Sequence, residues 1–279
     1  MPATVLGAAL VATVLVVAAA APGIAPHDPT FQQRDGLTDA GLPLPPGQTT
    51  RYALGTDGLG RDLLSRLLNG ARISMIVGLV ANGLAMVIGG VVGLVAGYTG
   101  GPVQTVLMRL VDIVMSVPLL LLAIALSALL RPSLGIVILV VSVVYWTGMA
   151  RLICGEVLTL RELEFVTSAR AVGAPAWRVV THHLLPNLMP VIVVVATLGI
   201  GTTIRVEATL SYLGVGVPPP VATWGNMIFE GQRFFRTAPW LVLIPGTAVM
   251  LAVLAFNLLG EGLRDVLDPL RRARQIGAG

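Results

Sequence analysis

Charge is missing from long stretches of this chain, and their lengths predict its architecture. Residues 1–27, 73–108, 113–130, 132–150, 179–204 and 237–260 contain no arginine, aspartate or glutamate. A helix rises about 1.5 Å per residue, so roughly 20 apolar residues cross the hydrocarbon core of a bilayer. Six spans are therefore expected, near 4–21, 75–97, 107–130, 133–153, 188–213 and 239–260. The fold class expected is an all-α integral membrane protein. Residues 1–21 form its first transmembrane helix, 22–74 a loop with an interfacial helix, 75–262 a core of five spans and 263–279 a tail. The first run reads as a span rather than a cleaved signal peptide, because Met1-Pro2-Ala3 offers no basic segment ahead of it.

Polar positions between the runs add detail. Leu59, Leu63 and Leu67 recur at i, i+4, i+8, with Arg61, Asp62, Ser65 and Arg66 on other faces. This pattern predicts an amphipathic helix at the membrane surface, with Asp57 as its N-cap and an Asp62–Arg66 pair. Gly89, Gly93 and Gly97 share one face of the second span, the small-xxx-small pattern of close helix packing. Prolines in VPPPVATWGNM forbid a helix from continuing through 214–238, and Trp224 suits an interfacial position.

The pattern breaks most sharply over 151–187, where charges return between spans four and five. A helix running to about Val172 is expected there, then Gly173 as an elbow. Pro175 opens a second short helix, which ends before Pro186. Both helices are expected to lie parallel to the membrane. Small residues around the elbow (Ser168, Ala169, Ala171, Ala174) permit a partner to approach closely.

Composition excludes several functions. The chain has 279 residues, 55% of them hydrophobic and only 11% charged, against about 25% charged in soluble domains. All 18 basic residues are arginine, so the chain has no P-loop lysine and no lysine for Schiff-base chemistry. Cys154 stands alone, which rules out an intrachain disulfide and leaves it a small buried apolar residue. A net charge of +4, carried by scattered arginines, fits membrane anchoring rather than nucleic acid. Neither HExxH nor GxSxG occurs, so no intramembrane hydrolase is indicated. The adjacent His182 and His183 point to different helix faces, which is unsuited to a metal site. No inverted repeat of a secondary transporter is evident. With the amino terminus inside, nine arginines fall on the inner side and eight on the outer, too even a split to orient the chain.

The 167–186 stretch resembles the signature loop of ABC-importer permeases: Glu-Ala-Ala, three residues, Gly, nine residues, Ile-x-Leu-Pro. Thr167-Ser168-Ala169, Gly173, His183, Leu185 and Pro186 hold those positions, with Thr167, Ser168 and His183 departing from the family's residues. Two further runs resemble dipeptide, oligopeptide and nickel permeases of the C type. One is Gly55-Thr56-Asp57 through Gly60-Arg61-Asp62, Ser65-Arg66, Gly70, Arg72 and Ser74. The other is Glu207-Ala208 through Leu210-Ser211-Tyr212-Leu213-Gly214, Pro219-Pro220 and Trp224-Gly225. Ala222 stands where that family often has another proline.

The resemblance implies a type I ABC importer permease fold in a bacterial inner membrane, with the 151–187 loop and the C-terminus cytosolic. It implies a heterodimer with a second permease, two separate ATPase subunits holding ATP and magnesium, and an external binding protein. No cofactor is expected in this chain. Thr167, Ser168, Ala169, Arg170, Ala171, Gly173, Ala174, Leu185 and Pro186 become the candidate ATPase-coupling residues. Arg205 and Glu207, charged and late in span five, become candidates for the translocation path or the subunit interface. Arg61, Asp62, Arg66 and Trp224 become candidates for docking the binding protein. The cargo implied is a dipeptide or short oligopeptide, with a nickel complex or other small ligand as the alternative.

Overall fold

A computed structural model describes residues 2–131 and 133–267; the tail arginines Arg271, Arg272 and Arg274 lie outside them. All regular elements among the described residues are helical. The main ones are α1 (Pro2–Ile24), α2 (Leu63–Thr99), α3 (Gly101–Ser116), α4 (Leu119–Leu129) and α5 (Leu134–Leu160). They continue with α6 (Glu164–Ala171), α7 (Ala176–Arg178), α8 (Leu185–Tyr212), α9 (Trp224–Gly231) and α10 (Trp240–Leu267). Five helices are long and apolar enough to cross a membrane, and α3 with α4 makes a sixth if the bent pair is one span.

That bend corrects the expected third span. Instead of one helix over 107–130, α3 and α4 meet at 85° across Val117-Pro118. Proline has no N–H and pushes the preceding residue out of helical backbone; Val117 is extended accordingly, at φ −91° and ψ 130°. The expected surface helix over 55–74 is corrected as well. Gly60 takes φ +74°, which a helix cannot accommodate. The leucine spacing instead marks the first turns of α2, whose N-cap is Asp62: its carboxylate accepts from the Ser65 amide at 2.9 Å.

The α2–α5 seam follows from the glycines. A Cβ at Gly89 or Gly93 would collide with the backbone of α5 at Trp146 and Ala150, and one at Gly97 with Val157. The two helices run parallel, since their contacts advance together along both chains. α8 returns antiparallel to α2, with the Asn82 amide donating to the Ala196 carbonyl at 2.9 Å. α10 packs on α8, and α1 lies along α10, where Gly7 leaves room for the backbone of Leu258 and Leu259. At about 1.5 Å per residue, α2 separates two polar ends of the molecule by about 55 Å.

Candidate functional site

Residues 25–62 and 214–236 form a cap on the Leu63 end of α2. Its centre is ionic. The Asp57 carboxylate accepts from the amides of Leu59 and Arg61 at 2.9 and 3.0 Å, and from Arg61 Nε at 2.6 Å. Asp57 is thus a turn residue, not a helix cap. Arg61 and Arg66 both donate to Glu230 Oε2, at 2.5 and 2.8 Å, and Arg66 Nε lies 3.2 Å from Asp57. The expected Asp62–Arg66 pair is absent, because the Asp62 carboxylate caps α2 and faces His27 Nδ1 at 3.5 Å. Arg66 is only 1% exposed. Phe234 closes over Gly58, where any side chain would collide with its ring.

Four candidate docking residues therefore turn inward. Arg61 and Arg66 are buried in the cluster, Asp62 is buried at the start of α2, and Trp224 is buried against α2, with its indole N–H donating to the Leu67 carbonyl at 3.1 Å. A buried group has no face to offer an external partner, and Trp224 is not an interfacial belt residue. Sequence reasoning missed Glu230, the acid that balances both arginines. The available signal was that Glu230 is the only acid in 214–238.

Around the cap's rim, Tyr52 donates to Asp35 at 2.8 Å and Arg51 pairs with the same carboxylate at 2.8 Å. The hydrogen bond from Tyr52 holds Asp35 below the usual carboxylate range, while burial and Asp35 push the Tyr52 phenol up to about 12.

Glu207 lies beneath the cap at 0% exposure. Its carboxylate accepts from Ser74 of α2 at 3.1 Å and from Ser211 at 2.8 Å. Ser74 Oγ also accepts from the Trp224 amide at 3.4 Å. Glu207 therefore ties α2, α8 and the start of α9 inside the chain rather than lining a path or an interface. Arg205, two residues earlier, is exposed. Arg109 and Asp112 are 3.9 Å apart and both exposed, and Asp112 also pairs with Arg151 of α5.

At the far end, residues 161–187 form the elbow. α5 stops at Leu160 and α6 begins at Glu164, so the expected continuous helix to Val172 is broken once. Glu164 in the first turn and Arg170 in the last suit the dipole of α6. Gly173 takes φ +81°. Its amide donates to Arg170 at 3.0 Å and that of Ala174 to Ala169 at 3.0 Å, a Schellman closure. Pro175 then precedes α7.

The second helix does not stop at Pro186, a further correction. A π-helical turn over Val179–Leu184 passes straight into α8. Pro186 has no N–H for the His182 carbonyl, and the widened turn, with Leu185 donating to Val180, makes room for its ring. Ala176–Tyr212 is thus one apolar rod, and Leu185-Pro186 lies within it.

The elbow has two faces. Val166, Val179 and Leu184 are buried against α5 and α8, and the Arg170 guanidinium stacks 4.9 Å from the Tyr98 ring at the end of α2. The other face is open: Val172 is 85% exposed and Trp177 60%. Thr167, Ser168, Arg170, Ala171 and Gly173 are exposed, Ala169 and Ala174 half-buried. Thr167, in place of glutamate, donates back to Leu163 and Glu164 at 3.3 and 3.1 Å. His182 and His183 contact different rings, Trp177 edge-on and Phe165 at a tilt.

This arrangement has known counterparts. Residues 89–273 match the family described as binding-protein-dependent transport system inner membrane component. The chain is 43% identical over 223 residues to the dipeptide transport system permease protein DppC of Alkalihalophilus pseudofirmus, covering 80% of this chain and 73% of that one. It is 40% identical over 268 residues to the DppC of Haemophilus influenzae, covering 95% and 89%. A probable D,D-dipeptide transport system permease protein DdpC of Escherichia coli is 36% identical over 274 residues, covering 98% and 90%. A solved chain of the MetNI methionine ABC transporter, in inward-facing conformations, shares the fold. Its TM-score is 0.62 at 19% identity, covering 73% of this chain and 96% of that one. The type I ABC importer permease fold expected from the sequence is therefore present, and the chain belongs to the family of binding-protein-dependent transport inner membrane components.

Proposed function

We propose that this chain forms half of the translocation path of an ATP-driven importer for dipeptides or short oligopeptides. The other half is a second, different permease. The observation that carries the cargo is 36–43% identity, over most of the chain, to permeases named for dipeptide transport. Two ATPase subunits and an external binding protein complete the machine. ATP hydrolysis on the ATPases supplies the free energy, and this chain transmits it.

The elbow is the surface that meets an ATPase, so it and the C-terminus are cytosolic and the cap is external. Its open face, with Val172, Trp177 and the small residues about Gly173, fits a groove in that subunit. Its buried face fixes it to α5 and α2, so movement of the elbow moves the bundle. The rod from Ala176 to Tyr212 carries that movement toward the cap, where Glu207 and Glu230 pass it to α2 and α9. Two global states, favoured in turn by the ATPases, give alternating access.

The test is uptake by the whole importer reconstituted in vesicles with its binding protein. Labelled dipeptide should accumulate only with ATP and loaded binding protein. Accumulation of a nickel complex with no dipeptide uptake would overturn the peptide assignment.

A further inference from the structure

Arg205 makes no salt bridge among the described residues: no carboxylate lies within ion-pair distance of it. Tyr212 closes α8, so Arg205 sits about 10 Å below that end, within the spanning rod. A guanidinium exposed at such a depth needs an anionic or polar counterpart.

Its surroundings are polar. Thr202, Thr209 and Tyr212 follow Arg205 at i−3, i+4 and i+7, so the four share a stripe, and each is exposed or half-buried. Thr202 and Thr209 donate to the carbonyls of Leu198 and Arg205, at 3.3 and 2.8 Å.

Surfaces of this chain that suit lipid look different. α2 exposes Val80, Leu84 and Val87, and α10 exposes Leu243, Met250 and Leu254. A stripe of two threonines, a tyrosine and an unpaired arginine is poorly matched to acyl chains and well matched to a hydrated path.

Arginine presents a planar fork of donors that fits a carboxylate through two parallel hydrogen bonds. Every unmodified peptide has one terminal carboxylate, whatever its side chains. A single arginine can therefore hold peptides of many sequences by a feature they all share. We infer that Arg205, flanked by Thr202, Thr209 and Tyr212, receives the terminal carboxylate of the peptide as it passes. The inference rests on the peptide-import reading above.

The experiment uses the whole importer in vesicles, with wild type, Arg205→Gln and Arg205→Lys compared. Peptide uptake and binding-protein-stimulated ATP hydrolysis are measured in the same vesicles. Arg205→Gln should lower uptake of a free-carboxylate dipeptide by about tenfold or more, the size of a lost charge-assisted contact. Stimulated hydrolysis should be unchanged, so fewer peptides enter per ATP. Arg205→Lys should fall between the two. A dipeptide amide that the binding protein retains should enter at equal rates through wild type and Arg205→Gln.

Unchanged uptake of the free dipeptide would overturn the inference. Parallel loss of uptake and hydrolysis would overturn it too, assigning Arg205 to assembly with the second permease. A defect that vanishes in vesicles without anionic lipid would likewise overturn it, assigning Arg205 to lipid headgroups. Wild-type vesicles that take up no dipeptide would instead overturn the peptide-import reading itself.

Discussion

The centre of the cap joins its charges to one another, whereas the elbow leaves most of its charges on the surface. In the cap, Asp57, Arg61, Arg66 and Glu230 make a set of two acids and two bases that neutralise each other. Burying such ions is tolerable only because each finds several partners. In the elbow, Glu162, Glu164, Arg170 and Arg178 are exposed, and the buried face is Val166, Val179 and Leu184. Apolar Val172 and Trp177 stand open beside them. The cap is therefore closed upon itself, while the elbow is a surface that suits a partner. Two polar interruptions of one hydrophobic chain differ in where the opposite charge is found.

Breaking the cap should cost the most stability. Arg66→Met leaves Asp57 and Glu230 sharing one arginine in a buried site, with an expected loss of about 3 kcal/mol. The check is the thermal unfolding midpoint of the detergent-solubilised importer; an unshifted midpoint would mean the cluster does not hold the cap together. Gly173→Val should cost less stability and act mainly on function. It places a β-branched residue at φ +81°, a local cost of about 1–2 kcal/mol. The midpoint should move little, while stimulated hydrolysis and uptake fall together.

A smaller effect is expected at Tyr52. Its phenol is pushed up to about 12, so the folded state favours the protonated form. That stabilisation is complete below about pH 10, the ordinary phenol value, and is lost as pH rises through about 12. Asp35 is shifted the other way, so its contribution is present above the ordinary carboxylate range and lost as pH falls below about 4. Tyr52→Phe should remove a phenol that ionises at about 12 from an ultraviolet pH titration. The least effect is expected from Arg51→Ala. Arg51 and Asp35 are both more than half exposed, and such pairs contribute about 0.5 kcal/mol or less. A midpoint shift as large as that of Arg66→Met would erase the contrast between buried and exposed pairs.

Helix existence could be read from charge-free run lengths, because spanning a bilayer imposes a length. The α2–α5 seam could be read from Gly89, Gly93 and Gly97, because only small residues let backbones touch. Gly173 and Pro175 likewise announced the elbow. Local periodicity misled at Leu59, Leu63 and Leu67, where Gly60 in left-handed backbone excludes the helix that the spacing implied. Pro118 was hidden by the uninterrupted apolar run around it. Pro186 looked like a stop because a π turn that absorbs a proline leaves no mark in residue spacing. The partners of Arg61 and Arg66 were beyond local reading altogether, since Glu230 lies 169 and 164 residues away. Docking at Arg61, Asp62, Arg66 and Trp224 follows only from their place in loops that the resemblance puts outside, and place in a loop does not say which way a side chain turns.

The most direct test of the central claim is site-directed crosslinking in the assembled importer. Cys154 is buried and is the chain's only cysteine, so Cys154→Ala gives a cysteine-free background. Single cysteines replace Ala169 or Val172 in the elbow and Leu59 in the cap. The elbow cysteines should crosslink to an ATPase subunit and the cap cysteine should not. A complex that hydrolyses ATP, yet crosslinks to its ATPase through Leu59→Cys and not through Ala169→Cys or Val172→Cys, would contradict the account.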